Sequence, residues 1–214
     1  MRFEVLAPES APVVRLLLEP GEVARVGAGR VITLSDGLEL EENTRKLGHS
    51  LLRVLAKGKA HRLEIRAQLG AGEATLAPAN HGEVTSIPVR RTPMLVWSHC
   101  VLLCDDSIDV AGGINTRGLA TPHGSSLIRL AGPGLALGSP CGALRVQELA
   151  VGEILLVSSE FLMGFSVGMD YRVKWSQPKA PRGMLPLQWV QFQGPGILLL
   201  QSRSMRAAGS VVAF

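Results

Sequence analysis

Gly70-Ala71-Gly72, Gly132-Pro133-Gly134 and Gly194-Pro195-Gly196 recur at an interval of 62 residues (132 − 70 and 194 − 132). Each follows a run with the character of a strand: Leu63-Glu64-Ile65-Arg66-Ala67, Leu127-Ile128-Arg129-Leu130-Ala131 and Trp189-Val190-Gln191-Phe192. Each precedes another: Ala74-Thr75-Leu76, Leu135-Ala136-Leu137 and Ile197-Leu198-Leu199-Leu200. In the second and third copies Pro fixes φ near about −65° at the second turn position, and the next Gly supplies the positive φ of a type II turn. This chemistry predicts positive φ at Gly134 and Gly196. Ala71 takes the place of Pro in the first copy, which the same turn tolerates.

Working outward, a second element recurs. Leu18-Glu19-Pro20-Gly21-Glu22-Val23 and Ala150-Val151-Gly152-Glu153-Ile154 each read as a strand end, a tight turn and a new strand, with Arg91-Thr92-Pro93-Met94 in the middle copy. An acidic alternation follows in each: Leu38-Glu39-Leu40, Ile108-Asp109-Val110 and Met169-Asp170-Tyr171-Arg172-Val173. Alternation of period two marks half-buried strands. Short strands punctuated by turns, with no sustained helical period, predict an all-β fold of three diverged repeats. The expected arrangement is double-stranded β-helix-like or barrel-like with pseudo-threefold symmetry, because closure would remove exposed edges. The expected organisation is one domain over residues 1–214, with units at about 1–78, 79–140 and 141–214.

One segment breaks the period. Leu47, Leu51 and Leu55 share a helical face, and Gly58 is a C-terminal stop, so a short helix is expected near 44–58. Its other face is basic. Arg45, Lys46, Arg53, Lys57 and Lys59 form a candidate docking set for an anionic membrane surface or an acidic protein partner.

The remaining residues argue against several function classes. A net charge of +4 is mild, and Trp97, Tyr171, Trp175 and Trp189 are too scattered for a nucleic-acid platform, so nucleic acid is not favoured. Five histidines form no HxH pair, and no carboxylates stand at a complementary offset, so no metal ligands and no catalytic residues are assigned. No cofactor motif is present either, because each Gly-x-Gly turn leads into a strand and not into a helix N-terminus. Cys100 and Cys104, at an even spacing, are expected on one strand face with Leu102 as packed core thiols. Three cysteines are too few for a disulfide framework and indicate a reducing compartment. The opening Met1-Arg2-Phe3-Glu4 resembles neither a signal nor a transit peptide, so the expected location is the cytoplasm, at most peripheral to a membrane.

The order of these motifs carries a resemblance. Leu52 through Gly58, Gly72 through Pro78, Leu18 through Glu22, and Gly194 through Arg203 together resemble the altered inheritance of mitochondria protein 24 family, over nearly the whole chain. The resemblance implies a fold related to the tryptophan RNA-binding attenuation protein. It also implies a link, in the family's fungal branch, to inner-membrane organisation and respiratory complexes. It defines no catalytic residues. The leading expectation is a non-enzymatic scaffold or binding protein, peripheral to a membrane or a respiratory-type complex. The alternatives are a small-molecule or metal-binding β-barrel with enzymatic activity, and an RNA-binding protein. A homo-oligomer is an open alternative for its partner.

Overall fold

A computed structural model describes residues 1–7, 11–27, 29–42, 63–68, 70–112, 114, 118–119, 125–175 and 188–204. A leading strand β1 (Arg2–Leu6) precedes three rounds of six strands. The first round is β2 (Val13–Leu18), β3 (Val23–Val26), β4 (Val31–Leu34), β5 (Glu39–Glu42), β6 (Leu63–Arg66) and β7 (Gly72–Leu76). The second is β8 (Thr85–Ser86), β9 (Met94–Trp97), β10 (Val101–Asp105), β11 (Asp109–Ala111), β12 (Leu127–Ala131) and β13 (Ala136–Gly138). The third is β14 (Leu144–Leu149), β15 (Ile154–Ser158), β16 (Leu162–Ser166), β17 (Asp170–Trp175), β18 (Gln188–Gln193) and β19 (Gly196–Gln201). The fold is all-β, as the strand periodicity requires. The helix expected near 44–58 lies outside the described residues.

Every round repeats one antiparallel pairing scheme. Its first strand pairs with its sixth and its sixth with its third. Its fourth pairs with its fifth and its fifth with its second. Rounds are joined by the second strand of one meeting the third strand of the next, β3 with β10 and β9 with β16. The result is two six-stranded sheets, β5-β6-β3-β10-β13-β8 and β11-β12-β9-β16-β19-β14. They are flanked by two partial sheets, β1-β2-β7-β4 and β15-β18-β17. Closure into a barrel would need β15 to pair with β4. Among the described residues it does not, so the expected closure is corrected: the rounds stand in series, with two joints and two open ends.

The repeated turns are locked by one hydrogen bond, made three times. Ser35 Oγ accepts from Glu73 N at 2.8 Å, Asp105 Oδ2 from Leu135 N at 2.6 Å, and Ser166 Oγ from Ile197 N at 2.9 Å. The acceptor lies at the end of the third strand of its round (Asp105, Ser166) or one residue past it (Ser35), and the donor follows the second glycine of the Gly-x-Gly turn. That glycine is therefore needed for close approach. A Cβ on Gly72 would overlap Leu38 and Ser35, one on Gly134 would overlap Asp105 and Ser107, and one on Gly196 would overlap Met169 and Ser166.

Positive φ at Gly134 and Gly196 is not observed. In the second turn the left-handed residue is Gly132, at φ 141°. The first copy also differs from its sequence alignment. Ala67 N donates to Glu22 O as Gly194 N does to Glu153 O, so Ala67 is the counterpart of Gly194, and the first connection up to Gly72 is three residues longer than that up to Gly196. The turns at Glu19-Pro20-Gly21-Glu22 and Ala150-Val151-Gly152-Glu153 do require left-handed glycine, with φ 86° at Gly21 and 78° at Gly152.

Two apolar cores run through the series. Val14, Leu16, Val26, Ile65 and Leu76 of the first round are packed with Leu102, Leu103 and Leu137 of the second. The rest of the second round shares a core with the third, where Phe165, Tyr171 and Phe192 meet with ring centroids 5.1–5.8 Å apart. The two joints differ chemically. At the first, Arg25 reaches across from β3 to Asp106 at 2.5 Å and to Ile108 O at 2.7 Å, and contacts Glu64 at 3.3 Å. Glu64 is 2% exposed and also pairs with Arg66, so its buried charge is compensated by two guanidinium groups. At the second joint the corresponding cross-strand pair is Leu95 and Phe165.

Candidate functional site

Those residues nominated by the sequence that the structure describes do not converge on a reaction centre. The basic set Arg45, Lys46, Arg53, Lys57 and Lys59 lies outside the described residues. Cys104 lies on β10, but Cys100 ends a short 3-10 helix, Ser98–Cys100, and so does not share a strand face with it. Both thiols are fully buried, as is nearly all of Cys141. Burial pushes the Cys104 thiol up to about 12, with the Asp105 carboxylate adding to the effect. Burial and the neighbouring Cys141 push Cys100 up as well. His99 Nε2 is 3.3 Å from Cys100 Sγ, and Asn80 Nδ2 is 3.7 Å from it. Such a thiol stays protonated near neutral pH and is a poor nucleophile. Asn80 Nδ2 also donates to Ser139 O at 2.6 Å, so the cluster ties the start of the second round to its end.

An open groove of about 700 Å³ lies near the first joint, lined in part by Met1, Glu22, Arg90, Asp105 and Asp106. Its carboxylates are engaged within the fold. Glu22 pairs with the N-terminal amine and accepts from Glu19 N. Asp105 accepts from Ser107 and Leu135, and Asp106 pairs with Arg25. Among the described residues no group of three or more histidine, cysteine or acidic side chains is placed to hold a metal ion. No helix among them is long and apolar enough to cross a membrane.

What the chain presents outward instead is two uncharged, apolar strand edges. β4 reads Val31-Ile32-Thr33-Leu34 and β15 reads Ile154-Leu155-Leu156-Val157-Ser158, and neither holds a lysine or a proline of the kind that blunts an edge. Opposite its sixth strand, each third strand carries the same bulge, at Ile32, Leu102 and Met163. Leu102 is 1% exposed and Met163 0%, because each faces a preceding round, whereas Ile32 is 55% exposed. On β15, Ile154 is 58% and Leu156 49% exposed. The counterparts of Leu156 are Leu95, packed against the core, and Arg25, spent in the clamp over the first joint. The sequence gives no sign of this contrast, since apolar residues stand at all three bulges whether or not they are covered.

The comparison with known structures agrees with this architecture. A crystal structure of protein SPYM3_0169 from Streptococcus pyogenes matches with a TM-score of 0.74 at 18% identity, over 97% of this chain and 95% of that one. At that identity the likeness is one of fold. No curated protein matches the chain. The family model for mitochondrial biogenesis AIM24 matches residues 3–203, a span that takes in all three rounds and both joints. The chain therefore belongs to the mitochondrial biogenesis AIM24 family.

Proposed function

We propose that this protein is a non-enzymatic scaffold, a β body that holds other macromolecules in an assembly through exposed apolar strands. One observation carries the proposal: among the described residues two uncharged edge strands are left open at opposite ends of the series, with Ile32, Ile154 and Leu156 about half exposed. An exposed apolar edge is a liability in a monomer and an asset in an assembly. The third round adds to it. It contributes Val146, Val151, Ile154, Leu156, Phe161, Val167 and Trp175, most of the large apolar side chains that stand exposed among the described residues. The polar groups are used internally, in turn locks, the Arg25 clamp and the Arg15–Glu73 pair, which supports a role in contact over one in chemistry. The test is gel filtration of a native extract probed for the chain. A scaffold elutes far above its own 22.8 kDa, in a particle that survives high salt because apolar contacts are not screened. Elution at the mass of one chain would overturn the proposal.

A further inference from the structure

We infer that the outer edge of β17 is a docking site for an acidic, extended segment of another protein, which adds to the sheet as a further strand. This surface is separate from the two open edges on which the scaffold reading rests.

The fourth strand ends a sheet in every round. β5 and β11 each end a six-stranded sheet, and β17 ends the sheet β15-β18-β17. β17 is the longest of the three, six residues against four and three. All six pair with β18 in unbroken register, from Asp170 opposite Gln193 to Trp175 opposite Gln188. A strand paired without a bulge on one side presents a regular row of backbone N–H and C=O groups on the other. Among the described residues nothing pairs with that row.

Charge sets β17 apart from its counterparts. Glu39, Asp109 and Asp170 open the three fourth strands. In the first round Glu41 of β5 pairs with Arg66 of β6 at 3.2 Å. In the second, Asp109 of β11 pairs with Arg129 of β12 at 3.1 Å. In the third round the sign changes. Arg172 takes the place of Glu41, and Lys174 follows it on the same face. The facing positions of β18 hold only Gln193, Gln191 and Trp189. Among the described residues neither Arg172 nor Lys174 forms an ion pair.

The other face of β17 is apolar. Tyr171 and Val173 pack against the core but are only partly buried, and Trp175 continues their row at 54% exposure. An added strand would meet two demands at once. Its residues beside Arg172 and Lys174 should be acidic, because opposite charges directly across a strand pair attract. Those between them should be apolar, to extend the row of Tyr171, Val173 and Trp175. The partner is therefore a segment of about six residues in which acidic and apolar side chains alternate. A half-exposed tryptophan at the end of the row is the type of anchor that dominates protein interfaces. A single-stranded nucleic acid could use the two cations, but it would leave the backbone row unpaired and the apolar row uncovered. A peptide strand uses all three.

The experiment titrates a synthetic peptide, four repeats of Glu-Val, into purified full-length protein by calorimetry. The peptide should bind at low salt, weaken as salt rises, and slow amide exchange along β17. Arg172→Gln with Lys174→Gln should weaken binding about tenfold, the sum of two cross-strand charge pairs. Both side chains are exposed, so circular dichroism should show the variant folded. Arg172→Glu with Lys174→Glu should reverse the preference, rejecting Glu-Val and taking four repeats of Lys-Val. Four repeats of Glu-Pro carry the same charge on an extended chain that cannot pair as a strand, and should not bind. No binding of Glu-Val, equal binding of Glu-Pro, or cation variants that leave the affinity unchanged would overturn the inference. Single-stranded RNA that binds at Arg172 and Lys174 where Glu-Val does not would overturn it too, and would give the face to nucleic acid. The scaffold proposal falls separately, on the extract particle at high salt, where this charged contact is screened.

Discussion

Gly134→Ala should be among the most damaging single-methyl changes in this chain. The new Cβ would fall on the Asp105 carboxylate and the Ser107 hydroxyl. Asp105 accepts from Leu135 N at 2.6 Å, Ser107 N at 3.0 Å and Ser107 Oγ at 2.7 Å, so it cannot turn away without losing the lock between third strand and turn. A hydrogen bond to a charged group contributes about 1.5–3 kcal/mol, and overpacking costs a further 1–3 kcal/mol or so. With partial relaxation the loss is about 3 kcal/mol. For a chain of this size that is a fall in Tm of roughly 6–12 °C. Gly70→Ala is the internal control. Gly70 belongs to a Gly-x-Gly of the same appearance, but nothing lies within 4 Å of its added Cβ, and its φ is not left-handed. It should be neutral or stabilise by up to about 1 kcal/mol through the unfolded chain. Differential scanning calorimetry of the two variants decides the matter. Equal shifts, or an unchanged Tm for Gly134→Ala, would refute the close-approach account of these glycines.

Two further outcomes follow from the same geometry. Cys100 and Cys104 are buried with raised pKa values, so a thiol reagent should label them in native protein no faster than the fold opens, and rapid labelling would contradict their place in the core. The Arg15–Glu73 pair, at 2.6 Å, should show in acid. Its hydrogen bond to Arg15 holds the Glu73 carboxyl below the usual glutamate value. The pair therefore adds stability above the unfolded-state pKa and loses it as pH falls through the lowered folded-state value. Glu73→Gln should flatten that part of a Tm-against-pH curve, and a curve of unchanged shape would show the pair to be idle.

The sequence disclosed the repeat because glycine at 72, 134 and 196 answers a steric demand that no other residue meets. It misled on φ because glycine serves close approach and left-handed backbone alike, and only the neighbours at Asp105 and Met169 tell the two apart. The turn lock was legible but unread. Ser35-x-x-Leu38-Glu39, Asp105-x-x-Ile108-Asp109 and Ser166-x-x-Met169-Asp170 share one pattern: an acceptor, two turn residues, a buried apolar anchor and an acid. The open ends could not be read. Ile32, Leu102 and Met163 are all apolar, and which of them finds a partner depends on how many rounds the chain contains.

The half-step between rounds and sheets bears on how the molecule comes apart. Each six-stranded sheet takes three strands from one round and three from the next, so a segment cut at a repeat boundary owns no whole six-stranded sheet. The second round cannot open without tearing both six-stranded sheets, whereas the outer halves of the first and third can fray from their ends. Amide exchange should thus be slowest along β3, β10, β9 and β16, the interior strands at the joints, and graded outward from them. The gene repeats as rounds, and the protein melts as sheets.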